Sequence, residues 1–175
     1  MSNIIVALRK ILDESNGKIL LPYPDGEIVP HVCSFKSPAT AEDINLLETI
    51  TGFKLPDDYR NFLETCNGCS LFDHHLYGGE AKLYSAQEVI ERYHSRPDVK
   101  NLLQVAWIYQ DILVIDFDKV ATGEKEYMFV KQSGSFYRPG RSLFCNFETW
   151  LDRFISSNGS KYWGWKTEPN MMDYS

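Results

Sequence analysis

Between Cys66 and Gly79 the chain reads CNGCSLFDHHLYGG, which places Cys66-x-x-Cys69 ahead of Asp73-His74-His75 and a glycine pair. Thiolates and imidazoles at such spacings are zinc ligands. A structural zinc site needs four of them, ordinarily from two paired half-sites. Cys66 and Cys69 with His74 or His75 supply three or four ligands, but no second half-site follows. Cys66 also falls four residues after Phe62, on the apolar stripe of a helix, and free cysteine is among the most buried residue types. The spacing therefore favours a helix end and the strand after it over a metal centre.

The Asp-His-His triplet resembles the phosphoesterases named for that motif, which assemble two metals from several Asp and His motifs on a parallel-sheet domain. Here only His31 and His94 remain, each alone, with no upstream Asp-x-Asp and no later glycine-rich histidine motif. Adjacent histidines on one strand are expected to point to opposite faces. No G-x-S-x-G, P-loop, dinucleotide fingerprint or HExxH occurs, and YGGE has no Lys-Ser/Thr after it to hold phosphate. Asp116 and Asp118, read as i, i+2 on one strand face, have the types to ligate a cation; solvated acids ahead of Lys119 are the simpler reading. The expectation is no catalytic, metal or cofactor site.

The whole chain bounds the class. Its 175 residues are 43% hydrophobic and 14% aromatic, enough for a core in a single domain spanning 1–175. A formal charge of −6 argues against a general nucleic-acid binder, which needs a basic face, and suits a basic partner. The N-terminal apolar run Ile4 to Leu8 is too short for a secretory h-region, and nothing approaches the roughly 20 apolar residues of a membrane span. Two lone cysteines, Cys33 and Cys145, beside one close pair look like reduced thiols in the cytoplasm.

The elements that position these residues follow from periodicity. A first helix is expected from about Asn3 to Asp13, capped by Ser2, burying Ile4, Ile5, Leu8, Ile11 and Leu12. Short strands and turns fill the proline-rich stretch to Pro38. Thr40-x-x-Asp43 caps a helix with Ile44, Leu47 and Ile50 inward, ended by Gly52. A third helix has Pro56 in its first turn, a stripe of Leu55, Tyr59, Phe62, Leu63 and Cys66, and Asn67-Gly68 as its left-handed stop. Strands follow at CSLF and AKLYS. Ser85-x-x-Glu88 then caps a helix carrying Val89, Ile90 and Tyr93 that stops before Pro97. A hairpin turning near Tyr109-Gln110-Asp111 and a strand at EYMFVKQ come next. Asn146 caps a last helix with Phe147, Trp150, Leu151, Phe154 and Ile155 on one face, closed by Asn158-Gly159. This order predicts an α+β fold with a mostly antiparallel sheet flanked by helices, and burial of Trp150, Phe154, Phe62, Tyr59, Leu63 and Ile115.

The run LPDDYRNFLETCNGCSLF resembles the SUKH superfamily, whose best-known branch is the Smi/Knr type of cell-wall assembly regulator. Leu55, Pro56, Tyr59, Phe62, Leu63, Asn67 and Gly68 match its helix and stop, and Leu71 and Phe72 its strand. LYSAQEVIERY, ILVIDFD and NFETWLDRFI extend the likeness over Ala39 to Ile155; the N-terminal helix and the aromatic C-terminal tail lie outside it. Cys69 stands where the family more often has glycine. The resemblance implies a non-catalytic binding protein without cofactor: an immunity protein that neutralises a cognate polymorphic toxin, for instance a nuclease domain, by forming a stoichiometric complex, with no direct nucleic-acid or membrane contact. A regulatory adaptor is the alternative, and a metal-dependent hydrolase the third reading. The expected docking patch joins Tyr109, Gln110 and Asp111 to Asp116, Asp118 and Glu80, with Tyr162, Trp163 and Trp165 of the tail as rival anchors.

Overall fold

Periodic apolar spacing sets the first helix, α1 (Asn3–Glu14), in a computed structural model that describes residues 3–23, 25–95, 101–132 and 140–165. Ile5, Leu8 and Leu12 are buried and Ile4 partly so, whereas Ile11 is 53% exposed. The inward stripe runs i, i+3, i+7, and Ile11 sits beside it, not on it. The expected cap Ser2 and stop Pro97 lie outside the described residues.

A hairpin of β1 (Ile19–Pro22) and β2 (Ile28–Phe35) follows. Then comes α2 (Ala41–Thr51), whose capping box is complete: Asp43 N–H donates to Thr40 Oγ1 over 3.1 Å and Thr40 N–H to Asp43 Oδ2 over 2.9 Å. Ile44 and Leu47 are buried, Ile50 partly, and left-handed Gly52 closes the helix. The third helix, α3 (Asp57–Thr65), begins one residue later than expected, with Pro56 at the N-cap at ψ 143°. Proline offers that position no side-chain cap, and the preceding Leu55 N–H is held instead by Glu48 Oε1 at 2.8 Å.

The remaining elements are β3 (Cys69–His74), β4 (Ala81–Leu83), α4 (Ala86–His94), β5 (Leu102–Ile108), β6 (Asp111–Asp116), α5 (Phe117–Ala121), β7 (Met128–Gln132), β8 (Arg141–Ser142), α6 (Phe147–Ser156) and a 3-10 turn at Tyr162–Gly164. Among the described residues the eight strands pair antiparallel in simple sequence order, β1 to β8. Side chains alternate across this sheet. On β6, Leu113 and Ile115 join the main core with the buried faces of the helices, while Ile112 and Val114 form a separate small cluster with Leu102, Trp107 and Phe129. The result is a single α+β domain, an antiparallel sheet flanked by helices. Trp150, Phe154, Tyr59, Leu63 and Ile115 are 0% exposed and Phe62 1%.

Two polar joints lock the helices in place. Asp58 accepts from the Tyr127 hydroxyl, from Tyr59 N–H at 2.9 Å and from Glu148 N–H at 3.0 Å, so one carboxylate serves the first turns of both α3 and α6. At the other end of α3 the expected left-handed stop is displaced. The helix ends on extended Cys66, φ −157°, and Gly68 takes the left-handed conformation at φ 92°. Glycine is required there by space: a Cβ would stand 2.7 Å from Ser85 N. Beside it Asn67 Oδ1 accepts from Ala86 N–H at 2.8 Å, so Asn67-Gly68 docks the exit of α3 on the start of α4.

Asp116 and Asp118 do not share a strand face. Asp116 ends β6 and caps α5, accepting from the N–H of Asp118 at 3.0 Å and of Lys119 at 3.4 Å. Short polar residues divert the chain from strand to helix in this way.

Candidate partner-binding surface

The β5–β6 turn is the two-residue Tyr109-Gln110, with φ of 45° and 71°. Positive φ at both central residues matches the right-handed twist of the strands, but non-glycine side chains adopt it at a cost. Asp111 is therefore not in the turn; it opens β6 and is 8% exposed. Its Oδ2 accepts the Trp163 indole N–H at 2.9 Å and pairs with Lys161 Nζ at 3.1 Å. Lys161 Nζ also donates to Tyr109 O at 3.1 Å, tying the segment after α6 to the turn. Trp163 packs against Trp150 and Phe154, with ring centroids 6.3 and 6.1 Å away. Tyr162 is partly buried against the same core and Trp165 is exposed.

These contacts rearrange the expected patch. Tyr109, exposed Gln110 and exposed Glu80 are neighbours, since Tyr109 N–H donates to Glu80 O at 3.1 Å. Asp116 and exposed Asp118 stand at the opposite end of β6, five residues along and roughly 17 Å away at strand rise. The acids thus divide between two ends of the sheet. Asp111 and Trp163, assigned above to competing anchors, form one buried unit.

Among the described residues no group of three or more His, Cys, Asp or Glu is placed to hold a metal ion. Cys66 Sγ donates to Gly68 O at 3.1 Å in the core, and all four cysteines are free. The two histidines, expected on opposite faces, instead stack with ring centroids 5.1 Å apart. β3 ends at His74, so alternation no longer governs His75. Local bonds occupy both rings: His74 Nδ1 accepts from Leu76 N–H at 3.1 Å, and His75 Nδ1 donates to Pro30 O at 3.1 Å.

Beside the Tyr109 turn lies a cleft of about 510 Å³ that residue-by-residue reading missed. It is lined by Tyr23 and His31 of the β1–β2 hairpin, by Phe72 and Tyr109, and by the turn from Ser157 to Lys161. His31 Nδ1 donates to Val29 O at 3.0 Å, leaving Nε2 to accept from the Tyr23 hydroxyl at 3.4 Å, and the two rings stack 5.9 Å apart. Burial, then the Asp73 carboxylate, push the Tyr109 phenol above its ordinary range. Asp73 itself is raised by burial, against a lowering contribution from the Ser70 hydroxyl, and its Oδ1 is buried without a hydrogen-bond partner. Nothing in YPDG or SSNGSK taken singly signals a cleft, because the pairing of distant segments creates it.

With this fold and surface in place, comparison with known proteins settles the family. The model described as the SMI1 / KNR4 family (SUKH-1) matches residues 38–153. The chain belongs to that family. It is similar to "Uncharacterized protein YobM" of Bacillus subtilis (strain 168), 34% identical over 167 residues covering 91% of this chain and 88% of that protein. It is also similar to "Uncharacterized protein YnaB" of the same organism, 30% identical over 140 residues covering 80% and 91%. Among the described residues no helix is long and apolar enough to cross a membrane.

Proposed function

We propose that this chain is a non-catalytic immunity protein that neutralises a cognate toxin by forming a stoichiometric complex. Family membership supports the reading, since most bacterial members of the SUKH superfamily look like immunity proteins and the relatives above are from a bacterium. An antiparallel sheet and a polar, aromatic cleft lined from both ends of the chain support a binding role. Four free cysteines suit work in the reducing cytoplasm. The charge of −6 suits a basic target such as a nuclease domain, whose phosphate-binding cleft an acidic surface covers.

Co-expression tests this. The chain should rescue cells from the toxin encoded beside it and not from unrelated toxins. Absence of rescue, together with stable association with a cell-wall regulatory enzyme, would move the assignment to the adaptor class.

A further inference from the structure

We infer that Arg92 and Lys82, set beside Trp107, form a docking point for one acidic side chain, aspartate or glutamate, of a partner protein. That the partner is a toxin rests on the function proposed above.

Three elements build the position. Lys82 of β4 and Trp107 of β5 are directly paired across the sheet. Arg92 joins them from the last turn of α4, and with Tyr84 the four line a pocket of about 270 Å³. Tyr84 is buried, and both cations sit over its ring, Arg92 Cζ 4.8 Å and Lys82 Nζ 6.0 Å from the centroid. Gln104 Nε2 donates to the Tyr84 hydroxyl at 3.4 Å and so helps to fix that ring. A cation held against an aromatic ring is positioned without spending a carboxylate on it.

The charge balance decides the sign of the ligand. The lining holds two cations and no carboxylate. The acid beside it, Glu88, is shared: one oxygen takes Lys82 at 2.7 Å, and the other takes Lys36 at 2.8 Å and Ser85 N–H at 2.9 Å. Among the described residues no hydrogen bond or ion pair uses the Arg92 guanidinium. Three cations therefore meet one carboxylate, in a chain whose formal charge is −6. A partner that is basic throughout would be repelled at this point, and a single acid placed on it fixes the register of the complex. The guanidinium fork matches a carboxylate with two parallel hydrogen bonds, and an ammonium that gives one N–H to Glu88 keeps two more.

Size and composition choose a protein side chain over a free ligand. The pocket is smaller than the roughly 300–1,000 Å³ that enclose small molecules, and it admits one side chain. Tryptophan, tyrosine and arginine are the residues enriched where protein interfaces concentrate their binding energy. Phosphate is ordinarily cradled by backbone N–H groups of a glycine-rich loop or a helix start. No glycine lines this pocket, and the N–H groups that open α4 are taken, Ala86 by Asn67 Oδ1 and Glu88 by Ser85 Oγ.

The test is NMR titration of the full chain with Nα-acetyl-glutamate methylamide, its glutamine counterpart and inorganic phosphate. The glutamate probe should shift the Trp107 indole resonance saturably, with glutamine at least about fivefold weaker and phosphate no tighter than glutamate. Arg92→Gln, at an exposed side chain, should keep the native melting temperature and weaken the glutamate probe about fivefold. Equal binding of the glutamate and glutamine probes, tighter binding of phosphate, or saturable shifts only elsewhere overturns the inference. In a second arm Arg92→Glu should weaken the complex with the toxin expected from the adjacent gene about tenfold or more, and changing one acid of that toxin to lysine should recover it. Undiminished affinity of the Arg92→Glu chain would remove this point from the interface while leaving the immunity function intact. A chain that titrates with the glutamate probe and binds no toxin would keep the carboxylate site and overturn its assignment to a toxin.

Discussion

The indole N–H of Trp163 donates to Asp111 across 2.9 Å, and both residues are buried. The hydrogen bond joins the segment after α6 to the first residue of β6, 52 positions earlier. It stiffens the turn that presents Tyr109 and Gln110. Asp111→Ala would leave the buried indole without its acceptor and the Lys161 ammonium with Tyr109 O but no carboxylate, at about 2–3 kcal/mol. Trp163→Phe removes the donor and should cost about 1–2 kcal/mol. Urea unfolding of the single and double variants should show that the two losses are not additive. A charge reversal at Asp111 will therefore act on folding before it acts on any interface.

Gly68→Ala is expected to be among the most destabilising single-methyl changes in the chain. The added Cβ would stand 2.7 Å from Ser85 N, a backbone atom at the cap of α4, at φ 92°. A loss of about 3 kcal/mol or more in thermal or urea unfolding is the expected result.

How far the sequence spoke depended on range. Local signals were legible: the capping boxes at Thr40 and Ser85, Asn146 at α6, and the buried stripe of Tyr59, Phe62 and Leu63 all rest on contacts within a few residues. Relations across the sheet were not. Asp111 reads as a turn acid until Trp163 arrives from the far end of the chain. Asp116 and Asp118 read as one strand face until Asp116 turns the backbone into α5. The cleft was invisible because its walls come from opposite ends of the sequence.

Acid should loosen the ties of Glu88, whose carboxylate pairs with Lys36 at 2.8 Å and with Lys82 at 2.7 Å. Burial opposes its carboxylate, but hydrogen bonds from Lys36, Lys82 and the Ser85 backbone and hydroxyl hold it down to about 2. A folded value below the unfolded one contributes stability that is present above the unfolded value, near pH 4.5, and fades as pH falls toward 2. Glu88→Gln should cost about 1 kcal/mol at pH 7, after allowance for solvent screening, and should flatten the acid limb of stability across that window. An unchanged acid limb would show that the carboxylate is held no more firmly than in the unfolded chain.

Cys66 and Cys69 should carry no zinc. Cys66 bonds to Gly68 O inside the core, and the rings of His74 and His75 are bound to the backbone at Leu76 and Pro30. Protein purified without chelator should show zinc far below stoichiometric by elemental analysis. A full equivalent, lost in Cys69→Ser, would restore the metal reading.

The central claim, that the chain is an immunity protein, is tested most directly by isothermal titration of the purified chain with the toxin domain that the proposed function expects an adjacent gene to encode. The account predicts a one-to-one complex with a dissociation constant about nanomolar or tighter, weakening as salt rises. No binding heat, and separate elution of the two proteins on gel filtration, would contradict it.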